Sequence, residues 1–243
     1  MSLPLFEGPR LKVKRGLEHV ASLEIAIFAL KADVPPTMHS KDSGSQVLFK
    51  ANRDLTPPPE FGLILGDAIH NFRAALDLLA CDLARAFGQS PKGVRFPFWN
   101  DDEDERDVQQ MIKRSNLARA GEHIVNFVRE TVRPCPTGNP HLRALHDLDI
   151  TDKHALIVPI THQNVIKYGN IILRGSHNEY DMVDLRPKHM RAGPPTVDYE
   201  IVLDGGQPLA FSELVSTLKG IAADVKGIID ALASLTTGKQ ADP

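Results

Sequence analysis

Cysteine is almost absent. Cys81 and Cys135 are the only two in 243 residues, and neither belongs to a CxxC pair or to a Cys/His zinc spacing. That excludes a disulfide scaffold or zinc finger and suits a reduced, intracellular chain. Long apolar runs are also missing: nowhere do about 18 consecutive apolar residues occur, as a membrane-crossing helix needs. The opening residues, Met1-Ser2-Leu3-Pro4-Leu5-Phe6-Glu7-Gly8-Pro9-Arg10, hold no basic stretch followed by an apolar one. The expectation is a soluble, cytoplasmic protein with no membrane partner. Charge of one sign is not in excess either, with a formal net charge of −3 and an isoelectric point near 6.4. Without a broad basic field, a dedicated nucleic-acid binder is disfavoured. No glycine-rich phosphate loop, Gly-x-Ser-x-Gly elbow, HExxH motif or fixed-period repeat occurs. No cofactor is therefore expected, although a divalent metal stays open.

What is present is a hydrophobic content of 42%, enough to bury a sizeable core. Leu11, Val13, Leu17, Val20, Leu23, Ile25, Phe28 and Leu30 recur mostly at helical spacing and predict a first helix over about 10–31. Pro35 and Pro36 stop it. A hairpin is expected within about 36–54, around Ser43-Gly44-Ser45. Leu65, Ile69, Phe72, Leu76, Leu79 and Leu83 mark the buried stripe of a second helix over about 60–87, ended by Gly88. The acidic run Asp101-Asp102-Glu103-Asp104-Glu105 suits the positive end of the helix that follows. It lacks the glycine hinge of a calcium loop.

Further helices are expected over about 117–132 and from Asn139-Pro140 through Leu145 and Leu148, with asparagine as cap and proline at the first helical position. The chain then reads as extended over 155–160, 164–168, 171–174 and 196–203, an antiparallel sheet with turns at Gly169-Asn170 and Asp204-Gly205-Gly206. A last helix over about 210–235 follows, capped by Ser212. The fold class is α+β. It is read as a single domain over 1–243, with a helical part at about 9–154 and 208–236 and a β-rich segment at about 155–207.

Two stretches concentrate the reactive side chains: residues 66–77 (GDAIHNFRAALD) and residues 145–154 (LHDLDITDKH). On a helical wheel His70, Arg73 and Asp77 share a face opposite the apolar stripe, with Asp67 at its margin. In the second stretch Asp152, Lys153 and His154 lie at a helix end. A metal site would use His70, Asp77, Asp152 and His154 as mixed nitrogen and oxygen ligands from two helices. An acid–base site would use His70 or His154 as proton carrier and Asp77 or Asp152 to orient it. Arg73 and Lys153 would then steady an anion. A third reading makes the same residues a hydrogen-bonded network that only fixes helix packing. His177, Glu179, Asp181 and Asp184 form a polar cluster of generic spacing.

In these residues the chain resembles a widespread family of uncharacterised bacterial and phage proteins. They share a G-D-x-x-H-N-x-R-x-A-L-D helix, here Gly66 to Asp77, and a later D-K-H element, here Asp152-Lys153-His154. The resemblance spans most of residues 10–160. Members often carry Arg after D-K-H, where this chain has Ala155. It implies a pairing of the two motifs and no stated reaction. A looser similarity is to the helical HEPN class, whose R-x(4–6)-H motif cuts RNA; no Arg here has a His at that spacing, Arg119-x3-His123 being a near miss. The leading expectation is a site for a small anionic ligand or phosphate ester where the two motifs meet. The alternatives are a non-enzymatic interaction or homo-oligomerisation module and a metal-dependent or HEPN-like hydrolase.

Overall fold

Proline and glycine set where the longest helices begin and end. The computed structural model describes residues 3–36, 38–42, 47–51, 55–100, 105–155, 158–168, 171–176 and 196–238. Helix α1, Glu7–Asp33, stops just before Pro35. Helix α2, Pro59–Ala86, opens on a proline whose fixed φ suits a first turn. It closes at Gly88, whose φ of 68° is in the left-handed region. There the Gly88 N–H donates to the Arg85 carbonyl at 2.9 Å and the Gln89 N–H to the Ala84 carbonyl at 2.9 Å. These two bonds use carbonyls that the helix itself leaves open. Among the described residues, α3 (Glu105–Ser115), α4 (Glu122–Phe127), α5 (Pro140–Ala155) and α6 (Leu214–Gly238) complete the helices. With the strands below they make an α+β fold of helical bundle and small antiparallel sheet.

The chain divides into two compact units, the first formed by Met1–Ala21, Leu63–Val158 and Ser216–Pro243. Its core lies on α2, where all six stripe residues from Leu65 to Leu83 are 0% exposed. Helix α1 crosses α2 closely: a methyl group on Gly16 would lie 2.4 Å from the Phe72 ring. Arg10 pairs with Asp230 of α6 at 3.1 Å, and His141 of α5 meets Asp224 of α6 at 2.9 Å.

One expectation needs correction in this unit. The helix foreseen over 117–132 is broken at Gly121, φ 92°, into a 3₁₀ turn at Leu117–Ala120, then α4, then a π turn at Val128–Val132. Only glycine adopts that backbone conformation without strain. Helix α5 starts as expected, with the Asn139 carboxamide oxygen accepting the Leu142 N–H at 3.0 Å. It ends at Ala155, with the D-K-H element at the helix end where it was expected.

The second unit joins Ser22–Gly62 with Pro159–Val215. The hairpin is present, with β1 (Met38–Asp42) antiparallel to β2 (Val47–Ala51). A three-stranded antiparallel sheet has the order β4-β3-β5, from β3 (Ile160–Tyr168), β4 (Ile171–Ser176) and β5 (Thr196–Leu203). While Ala155 belongs to α5, strand β3 runs unbroken from Ile160 to Tyr168, joining the end of the run read over 155–160 to the run 164–168. Thr161, His162, Gln163 and Asn164 are all buried there. Burial of Gln163 is compensated because its Nε2 donates to Glu200 at 3.0 Å and to the Phe211 carbonyl at 3.1 Å. The end of α1 is fastened to β5 by Lys31 on Asp198 at 2.9 Å and by the Tyr199 hydroxyl donating to the Val34 carbonyl at 3.1 Å.

Asp204-Gly205-Gly206 does turn, with the Gln207 N–H on the Asp204 carbonyl at 2.9 Å, but it leads from β5 towards α6 rather than between strands. The cap of α6 is not Ser212: the Glu213 carboxylate accepts the Val215 N–H at 3.1 Å. The turns expected at 43–45 and 169–170, the acidic residues 101–104 and the cluster at 177–184 lie outside the described residues. No described helix is long and apolar enough to cross a membrane.

Candidate functional site

The two motifs meet because α2 and α5 lie side by side and antiparallel in the first unit. Three contacts fix the register. A methyl group on Gly66 would come within 2.0 Å of the Asp152 Oδ1 atom, His70 Nδ1 is 3.3 Å from Asp149 Oδ1, and Arg73 and His146 both pack on Phe98. Each step of three or four residues up one helix is matched by three down the other, the repeat of helices touching along one face. The junction therefore has an end at Gly66 and Asp152 and another at Arg73 and His146.

At the first end the charges are mostly spoken for. Asp149, with only 4% of its side chain exposed, faces His70 with one oxygen and accepts from Lys153 Nζ at 2.5 Å with the other. Asn71 accepts from Lys12 at 3.1 Å and donates to the Asp67 carbonyl at 2.8 Å, tying α1 to α2. The Asp152 carboxyl is pushed above the usual carboxylate range, chiefly by burial and then by the nearby Asp149 and Asp67 charges. Two half-buried or buried carboxylates with a third beside them make this end unwelcoming to an anion.

At the second end Arg73 and Asp77 clasp a loop. Arg73 is 8% exposed, and its Nη1 makes a close ion contact with Asp77 at 2.7 Å. Asp77 accepts the Phe96 N–H at 2.9 Å, while Arg73 Nη2 approaches the Phe96 carbonyl at 3.5 Å. Arg143 holds the far side of the same loop, donating to the Trp99 carbonyl at 3.2 Å while bound to Asp147. Pinned in this way, Phe98 receives the Arg73 guanidinium 4.5 Å from its ring centre and stacks on the His146 ring at 4.5 Å and 7°. The His146 pKa is pulled down from 6.5 to about 4, first by burial and then by Arg73 and Arg143. His146 is therefore neutral at pH 7, and its buried Nδ1 has no hydrogen-bond partner among the described residues.

Behind these groups is a pocket of about 260 Å³. Arg73, His146, Phe96 and Phe98 line it from one side, and Arg95, Met111, Arg114 and Ser115 from loop and α3. Ser115 is committed locally: its hydroxyl donates to the Ile112 carbonyl at 2.7 Å and accepts the Leu117 N–H at 3.2 Å. Arg73 has Asp77, whereas neither Arg95 nor Arg114 faces a carboxylate among the described residues.

Of the residues singled out from sequence, His70, Lys153 and Asp152 come together around Asp149, and Arg73 with Asp77 forms the other end. The pairing foreseen for His70 was Asp77 or Asp152; its partner is Asp149. That acid lies in the second stretch but was not singled out, and the helix puts 146, 149 and 152 on one face. The four-residue metal set does not assemble, since Asp77 and the Gly66–Asp152 contact are eleven residues apart on α2, about 16 Å along its axis. His154 is exposed, and no group of described residues could hold a metal ion. His146 lies in the second stretch but was not singled out, and Arg95 and Arg114 carried no sequence signal: 95 and 114 fall on no shared periodicity and meet only through the folded loop. No protein-family model, curated protein or solved structure matches this chain.

Proposed function

We propose that the chain binds a small anion in the pocket at the Arg73 end of the junction, with Arg95 and Arg114 as its principal holders. The carrying observation is that these two guanidiniums line a concave site yet have no carboxylate partner among the described residues. Guanidinium is planar and always charged, and it grips carboxylate and phosphate oxygens two at a time. Arg73, its charge offset by Asp77, adds a guanidinium edge to the lining rather than a further net charge. Neutral His146 offers a hydrogen-bonding nitrogen without a further charge. With the only hydroxyl in the lining already engaged in a helix end, the arrangement supports binding better than covalent chemistry.

The D-K-H half of the junction supports the packing role instead. Asp149 is almost fully buried, with Lys153 of its own helix on one oxygen and His70 of α2 on the other, so that the His70 contact tethers α5 to α2. Calorimetric titration with inorganic phosphate tests the division. The Arg95→Ala/Arg114→Ala protein is expected to bind at least about tenfold more weakly than the parent, or about 1.4 kcal/mol, while His154→Ala binds as the parent does. Equal binding by parent and double variant would refute the pocket as the anion site.

A further inference from the structure

Resting on that pocket, the balance of charge and surface narrows the ligand. We infer that the site takes a phosphate monoester in its dianionic form, carrying a small apolar or ring-shaped body. Three guanidiniums line the pocket, and Asp77 offsets one of them. Among the described residues two positive charges remain, because His146, crowded by Arg73 and Arg143 and removed from water, adds none. A carboxylate or phosphate diester, each with a single negative charge, leaves one guanidinium unmatched. A monoester, with a second pKa near 6, carries close to two charges at neutral pH and three acceptor oxygens for two planar forks.

The other half of the lining sets the body of the ligand. Phe96, Phe98 and Met111 present carbon rather than hydrogen-bonding groups, and free phosphate would leave that wall in water. At about 260 Å³ the space is just under the range of roughly 300–1,000 Å³ that holds drug-sized molecules. One ring or a short chain beside the phosphoryl group is therefore the size that fits.

Titration calorimetry on the full chain at pH 8 separates the two elements of the proposal, using phenyl phosphate, methyl phenyl phosphate and inorganic phosphate as probes. Phenyl phosphate is expected to bind at least about tenfold more tightly than either of the others. The Arg114→Ala protein is expected to lose most of the preference for monoester over diester. Equal binding of monoester and diester by the parent overturns the dianion, and equal binding of phenyl and inorganic phosphate overturns the apolar body. In both cases the pocket itself survives if the Arg95→Ala/Arg114→Ala protein has lost the probes. If that double variant, with an unchanged unfolding temperature, binds all three as the parent does, the underlying pocket reading fails as well.

Discussion

A methyl group at position 66 would displace the Asp152 carboxylate, whose nearer oxygen lies 2.0 Å from where its carbon would sit. The glycine that opens the first motif is thus the complement of the aspartate in the second. Gly66→Ala is expected to destabilise the protein by about 1–3 kcal/mol, the usual range for overpacking. In an Asp152→Ala background most of that loss should vanish, giving a coupling of about 1 kcal/mol or more in urea unfolding. Equal destabilisation in both backgrounds would show that the contact is not the cause. At this scale the sequence was partly legible. Gly66, His70, Arg73 and Asp152 stand out by type and spacing, but Asp149 looked like one acid among several until its burial singled it out.

For the elements, periodicity and punctuation went furthest where one helix face is apolar throughout. All six stripe residues of α2 are buried, and its Gly88 ending is the one that its sequence implies. The misreadings have separate causes. Gly121 breaks the helix foreseen over 117–132, and the start of β3 is polar yet structured because tertiary partners compensate buried polar groups that a local pattern assigns to solvent. The crossing of α1 on α2 allows a test of packing against propensity. Gly16→Ala should gain up to about 1 kcal/mol of helix propensity, but its methyl would meet the fully buried Phe72 ring at 2.4 Å. A net loss of about 1–3 kcal/mol in urea unfolding is expected. A more stable variant would mean that the helices do not approach so closely.

Across the whole molecule, the mild net charge of −3 conceals an uneven distribution within the first unit, carboxylates at one end of the α2–α5 junction and arginines at the other. His146 links the basic end to global stability. Unfolded, it takes up a proton near pH 6.5; folded, only near 4. Between those values the unfolded chain binds more protons, so the His146 contribution is complete above pH 6.5 and is lost as pH falls towards 4, up to roughly 3 kcal/mol in all. In urea unfolding across pH 4–7 the parent should lose stability relative to the His146→Leu protein as pH falls. A difference independent of pH would mean that His146 is not held neutral by the fold. The sequence by itself determined the α+β class, the long helices and the existence of two polar motifs, because helical period, proline geometry and glycine freedom act over a few residues. Only the tertiary structure decided that 66 faces 152, 70 faces 149, and 95 and 114 join 73 and 146 around one pocket. Those meetings depend on how two helices and a pinned loop pack, a physical fact that no local pattern along the chain encodes.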